Sequence, residues 1–265
     1  MTELRLDGAG VVVTGAGSGI GEGLARGFAA RGARVVVNDL DGAAASRVAD
    51  DIGALALPGD VADPAAVARL VADAREHLGE IDLFCANAGV APMGGVHGRR
   101  AATPEAWAAA MDVNVMAHVH AATALLPHWL EAGRGRFVST ASAAGLLTMV
   151  GSAPYAVSKH AAVAFAEWLR MTYAHRGIVV QTLCPQGVRT PMLEGSGRVG
   201  RALLEPDAVD VSVVVDAVVA ALDDDRFLVL PHPEVAGYVR AKAADPDAWL
   251  AGMNRLQRRL EAPGP

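Results

Sequence analysis

Tyr155 and Lys159 stand four residues apart in Tyr155-Ala156-Val157-Ser158-Lys159, so a helix over this stretch places both side chains on one face. A phenol ordinarily holds its proton to a pKa of about 10, and a lysine ammonium to about 10.4. A fixed positive charge beside the phenol favours phenolate, which lowers the first value and makes the tyrosine usable as an acid or base near neutrality. Ser142 lies thirteen residues before Tyr155, after an apolar strand-like run. A hydroxyl there can share the oxygen of an alcohol or carbonyl with the tyrosine. The plainer alternative is an ordinary surface pair. It fits poorly with a chain that has three tyrosines and two lysines against 21 arginines.

The 265 residues allow one large domain or two small ones, with ample material for a buried core. A hydrophobic share of 52% with 29 glycines argues for a compact α/β protein. The net charge of −6, with no block of Lys and Arg, speaks against nucleic acid as a partner. Cys85 and Cys184 each sit inside an apolar run and read as buried reduced thiols, not as a disulfide or a metal site. Phe137 to Ser158 lacks charge, but Gly145, Gly151 and Pro154 break it, so no membrane span is expected. The first residues carry no basic-then-apolar signal pattern, and a soluble, cytoplasmic protein is expected.

The elements that must position the reactive residues follow in order. Val11-Val12-Val13 suits a strand buried on both faces. It breaks into Thr14-Gly15-Ala16-Gly17-Ser18-Gly19-Ile20-Gly21 and then an alanine-rich helix. Strand, glycine turn and helix make a phosphate cradle, because free N–H groups at the helix start face the ligand. Close packing of strand on helix is the alternative use of such a turn. The spacing is Gly15-x-x-x-Gly19-x-Gly21, since Ile20 occupies the third glycine of the common G-x-G-x-x-G pattern.

A second strand, Arg34 to Asn38, ends in Asp39, twenty residues after Gly19. An acid there can accept both ribose hydroxyls of an adenosine and repel a 2′-phosphate. Ser18, not a lysine or arginine, stands before Gly19, and both features point to NAD over NADP. A helix N-cap is the other role open to Asp39, although Asp41 is equally placed for it.

Strands are also expected at Ala54 to Leu57, Ile81 to Cys85, Arg136 to Thr140, Ile178 to Cys184 and Phe227 to Leu230. Helices are expected between them. Asp63-Pro64 caps and starts one, whose apolar face is Val67, Leu70, Val71, Ala74 and Leu78. Thr103-Pro104 opens another, carrying Asn114 among apolar neighbours, and a third begins at Glu205-Pro206. A buried asparagine is either a hydrogen-bond hub or part of a site, and the pattern alone favours the hub. Six β-then-α alternations without a linker indicate a single α/β domain, a doubly wound parallel sheet with helices on both faces. Its ligand lies outside the carboxyl ends of the strands. The sheet core spans about residues 7–230. Beyond it, 231–265 is expected to be a C-terminal helical extension, with Trp249, Met253, Leu256 and Leu260 at helical spacing, used for packing rather than chemistry.

With these motifs in hand, residues 7–230 resemble the short-chain dehydrogenase/reductase family. Thr14-Gly15-x-x-x-Gly19-x-Gly21 resembles its cofactor turn, Asp39 its NAD-selecting acid, and Asp60-Val61 the pair beside the adenine. Ala86-Asn87-Ala88-Gly89 resembles its Asn-Asn-Ala-Gly, with the first asparagine replaced. Pro185-Gln186-Gly187-Val188-Arg189-Thr190 resembles its nicotinamide loop, with Gln186 in a glycine's place. Asn114, Ser142, Tyr155 and Lys159 match its catalytic tetrad. The resemblance implies a seven-stranded Rossmann-like sheet and hydride transfer between a secondary alcohol or ketone and NAD. In it Tyr155 is the acid/base, Ser142 holds the substrate oxygen, Lys159 tunes the tyrosine and holds the nicotinamide ribose, and Asn114 supports a water in a proton relay. Cofactor contacts fall to Gly15, Ser18, Gly19, Ile20, Gly21, Asp39, Asp60, Val61, Asn87, Ala88, Gly89, Tyr155, Lys159, Pro185, Gly187, Val188 and Thr190. A homodimer or homotetramer is implied too.

Two alternatives stand beside this reading: an NADPH-dependent carbonyl reductase and a non-catalytic NAD(H)-binding protein. Asp39 and the uncharged turn oppose the first, and the intact Ser, Tyr and Lys set opposes the second. Met93, Leu146, Leu147, Met149, Val150 and Met192 flank the expected site and suit an apolar substrate pocket or plain core. His97, Arg99 and Arg100 suit a solvated loop better than an anion site.

Overall fold

The computed structural model describes residues 4–98 and 101–261. Arg99 and Arg100 therefore lie outside the described residues, as do positions 262–265 of the C-terminal extension. The chain runs β1 (Gly10–Thr14), α1 (Gly19–Ala29), β2 (Arg34–Asn38), α2 (Gly42–Ile52), β3 (Leu55–Ala56), α3 (Pro64–Leu78) and β4 (Leu83–Ala86). It continues α4 (Pro104–Met111), α5 (Ala117–Ala132), β5 (Gly135–Thr140), α6 (Ala144–Leu147), α7 (Ala153–Tyr173) and β6 (Ile178–Leu183). Then follow α8 (Pro191–Glu194), α9 (Gly197–Leu204), α10 (Val211–Asp224), β7 (Leu228–Val229), α11 (Glu234–Ala244) and α12 (Pro246–Glu261).

Side chains alternate across a strand, so an unbroken valine run must bury both of its faces. Val11 and Val13 pack with Leu24 and Phe28 of α1, Val48 of α2 and Val214 and Val218 of α10. Val12 points the other way, into a cluster with Leu70 of α3, Leu125 and Trp129 of α5 and Leu169 of α7. Each large side chain buried in these clusters contributes roughly 1.5–3 kcal/mol of transfer free energy. The result is one seven-stranded parallel sheet, order β3-β2-β1-β4-β5-β6-β7, covered on both faces.

The chain reverses its direction of travel across the sheet between β1 and β4, and a crevice opens beyond their carboxyl ends. Thr14 stitches that point shut from below. Its Oγ1 accepts from Asn87 N at 3.0 Å and Ala88 N at 3.1 Å, while Asn87 Nδ2 donates to Thr14 O at 3.0 Å.

The helix starts follow local chemistry. Asp63 accepts from Ala65 N ahead of Pro64, and Asp41 accepts from Ala43 N and Ala44 N at the start of α2. Glu205-Pro206 is not a helix start. It forms a turn after α9, and α10 begins at Val211 behind Asp210. The intervening Val209 instead pairs with Val188, holding the loop after β6. Two helices, α11 and α12, fill the extension, and Lys242 of α11 donates to the Leu146 carbonyl of α6 at 2.7 Å. Among the described residues no helix is long and apolar enough to cross a membrane.

Candidate active site

One cavity of about 760 Å³ occupies the crevice at the carboxyl ends of the strands. At one end it is bordered by the glycine turn (Gly15, Ser18, Gly19, Ile20, Gly21) together with Asp39, Asp60 and Val61. Asn87, Ala88, Gly89, Pro185, Gly187, Val188 and Thr190 border its middle, with Ser142, Tyr155 and Lys159 beside them. All these positions come from seven different segments, and the parallel sheet is what brings them to one rim.

Asp39 is engaged by backbone alone. Its Oδ2 accepts from Gly17 N at 2.8 Å and its Oδ1 from Asp41 N at 3.0 Å. The cap of α2 is Asp41, so Asp39 is not spent on that role. A carboxylate offers about four acceptor sites, which leaves roughly half of them for a ligand. Arg47 reaches the same turn, donating to Gly17 O at 2.9 Å, but its guanidinium pairs with Glu22 at 3.1 Å and does not border the cavity. Sequence reading missed this arginine because nothing in its spacing ties it to the turn.

Asn87 borders the cavity, yet its amide is directed at the carbonyls of Thr14 and Gly15, at 3.0 and 3.3 Å. It holds the shape of the glycine turn.

Lys159, 3% exposed, donates to Thr140 O at 2.9 Å, and its Nζ lies 5.8 Å from the centroid of the Tyr155 ring. Burial brings its pKa down to about 8. For Tyr155 burial pushes the phenol pKa up, while hydrogen bonding to Ser142 pulls it down. The largest influence on the phenol in this state is therefore loss of water, and it acts against the lowering expected from the lysine charge. With two lysines in the chain, labelling lysine with ¹³C at Cε gives a readily assigned NMR titration. The resonance missing from Lys159→Met is expected to titrate with a midpoint of about 8, and a midpoint in the ordinary lysine range would contradict the buried geometry.

Asn114 is fully buried and does not border the cavity. It sits in a π-helical turn, Asp112–Met116, between α4 and α5. Its Oδ1 accepts from Val90 N at 2.9 Å, and its Nδ2 donates to Val90 O and Ser158 Oγ, each at 2.9 Å. Ser158 Oγ in turn donates to Tyr155 O at 3.0 Å. Asn114 thus ties the loop after β4 to the first turn of α7, one layer behind the tyrosine.

Met93, Leu147, Met149, Val150 and Met192 border the far end of the cavity, whereas Leu146 packs in the core beside Ala162 and Val163. Gln186 borders it too, and its φ is not in the left-handed region, so the backbone there has no need of glycine. The extension completes the wall: Tyr238 of α11 and Trp249, Met253 and Leu256 of α12 face the same space. The extension, expected to pack on the body or a neighbouring subunit, packs here so that it also walls the cavity. His97 is exposed and does not border the cavity.

The short chain dehydrogenase model matches residues 9–198, well over half of the chain. The protein belongs to the short-chain dehydrogenase/reductase family, and it is an oxidoreductase acting on alcohols or ketones. Among similar proteins is a 1-deoxy-11-beta-hydroxypentalenate dehydrogenase of Streptomyces exfoliatus, 38% identical over 253 residues, covering 93% of this chain and 90% of that protein. A meso-2,3-butanediol dehydrogenase of Serratia marcescens is 35% identical over 195 residues, 72% of this chain and 76% of that one. A short-chain dehydrogenase/reductase of Burkholderia phymatum, solved in complex with NAD, superposes with a TM-score of 0.84 at 28% identity, covering 92% of this chain and 96% of that one.

Proposed function

We propose that the protein is an NAD-dependent dehydrogenase and ketoreductase of apolar secondary alcohols and ketones, with Tyr155 as general acid and base. The observation that carries the reading is the shared cavity, which is bordered both by Tyr155, Ser142 and Lys159 and by Asp39 with its free acceptor capacity.

The glycine turn fits a dinucleotide. A Cβ at Gly21 would lie 2.1 Å from Gly15 O, and one at Gly15 would lie 2.7 Å from Ala88 Cα, so larger residues would distort the cradle. The α1 N-terminus behind Ser18 has no side-chain cap, which leaves its N–H groups and dipole for a pyrophosphate. In this reading Asp39 holds the adenosine ribose hydroxyls, Asp60 and Val61 flank the adenine, and Gly89, Val188 and Thr190 receive the nicotinamide end. The nicotinamide supplies the hydride acceptor or donor.

The protein's own groups handle the proton. In alcohol oxidation the Tyr155 oxygen takes the hydroxyl proton, and in ketone reduction the phenol returns it to the developing alkoxide. Ser142 donates to that oxygen and keeps it in line. The Lys159 ammonium, held by Thr140 O, stabilises the phenolate as it forms. Asn114, through Ser158, fixes the backbone turn that carries Tyr155.

The methionine- and leucine-lined end supports an apolar substrate, and the names of both relatives describe hydroxyl-bearing substrates. Initial rates with NAD over secondary alcohols of growing apolar bulk test this. Each methylene buried is expected to raise kcat/KM roughly fourfold until the cavity is filled. Highest rates on small polyols or charged alcohols would overturn it. A homo-oligomer is part of the same reading, supported by Val157, Trp168 and Met171 of α7, which stand 50, 49 and 76% exposed.

A further inference from the structure

His232 follows β7 and is 2% exposed, a buried imidazole at the entrance to the C-terminal extension. Both ring nitrogens meet the loop after β6. Gln186 N donates to Nδ1 at 3.2 Å, and Nε2 faces Gly187 O at 3.1 Å. A backbone N–H can only donate and a carbonyl can only accept. Nδ1 must therefore carry the lone pair and Nε2 the hydrogen, which fixes a neutral imidazole in a single tautomer.

The segment held in this way is tied down on its other flank as well. Pro185 O accepts from Ala143 N at 2.8 Å and from Ser142 Oγ at 3.4 Å. The stretch from Pro185 to Gly187 is therefore clamped between the serine segment and His232, and it delivers Val188 and Thr190 to the cavity rim.

We propose that His232 is a positioning residue for the nicotinamide half of the cofactor, acting through the Gln186–Gly187 backbone. The proposal rests on the dinucleotide reading above. It makes no contact with substrate or cofactor necessary: the ring holds the peptide that lines their meeting point. Removing it leaves the buried Gln186 N–H without its acceptor and the Gly187 carbonyl with Val209 N alone, and the loop loses the shape that seats the nicotinamide.

The test compares NADH with ADP-ribose, which keeps the adenosine, pyrophosphate and second ribose but lacks the nicotinamide. Isothermal titration of His232→Leu is expected to show NADH affinity down about tenfold with ADP-ribose affinity unchanged. His232→Gln, which offers an acceptor and a donor side by side, is expected to restore much of the NADH affinity. Equal loss of both ligands, loss of neither, or a glutamine variant as weak as the leucine one would overturn the role of His232. Should His232→Leu fail to fold, the ¹⁵N shifts of His232 in the wild type decide. A hydrogen on Nε2 supports the proposal, and one on Nδ1 overturns it. A wild type that binds neither NADH nor ADP-ribose would instead sink the dinucleotide reading, which is a separate result.

Discussion

Tyr155→Phe is expected to cut kcat roughly 100- to 10,000-fold while NADH binds as in the wild type. The substitution keeps the ring and removes one oxygen, so the cavity wall and the α7 packing persist. What disappears is the group that takes or returns the proton, a loss of about 3–5.5 kcal/mol in the barrier. The direction of the pH effects follows from the same geometry. Burial holds the Tyr155 phenol protonated to high pH. Alcohol oxidation needs the base form, so its rate is expected to rise with pH up to about 8, where the lysine that stabilises the phenolate loses its proton. Ketone reduction needs the phenol beside a charged lysine, so its rate is expected to fall above a pH of about 8, where Lys159 loses its proton. Steady-state rates in both directions across pH, with NADH titration of the variant, check all of this. Turnover retained in the phenylalanine variant would remove Tyr155 from the mechanism.

Asp39→Ala is expected to abolish a strong preference of the wild type for NADH over NADPH. The carboxylate supplies charge-assisted hydrogen bonds to ribose hydroxyls, each worth about 1.5–3 kcal/mol, so NADH binding should weaken roughly 10- to 150-fold. The same charge repels a 2′-phosphate, and its removal leaves Arg47 at the Gly17 carbonyl as the cation beside the turn. NADPH affinity should accordingly rise. Asp41→Ala separates this from a capping effect. It removes the acceptor for Ala43 N and Ala44 N at the start of α2 and should cost about 1 kcal/mol of stability with cofactor preference intact. Fluorescence titration of the three proteins with both cofactors reads the result. Equal affinities in the wild type would contradict the role of Asp39.

The parts of the fold written in local chemistry were legible in the sequence. Valine runs marked the buried strands, Asp63-Pro64 marked a helix start, and the spacing of Val67, Leu70, Val71, Ala74 and Leu78 matched the buried face of α3. Features set by tertiary context were not. Glu205-Pro206 carries the letters of a helix start, but it closes the turn after α9. The π-helical turn at Asn114 inserts one residue into an otherwise regular period, and composition hides it. Trp249, Met253 and Leu256 look alike whether they pack on a core or wall a cavity, so their place beside the site emerged from the fold alone. Spacing placed Lys159 beside Tyr155 but carried no measure of depth, and depth decides which way the phenol pKa moves.

The most direct test of the account follows a deuterium atom. An apolar secondary alcohol deuterated at the carbinol carbon is incubated with the protein and with NAD or NADP, and the reduced cofactor is read by mass spectrometry. The account predicts label in NADH, little in NADPH, and almost none with Tyr155→Phe. Tight NADH binding with no transfer of label from any alcohol in the series would contradict it and leave a dinucleotide-binding protein without turnover.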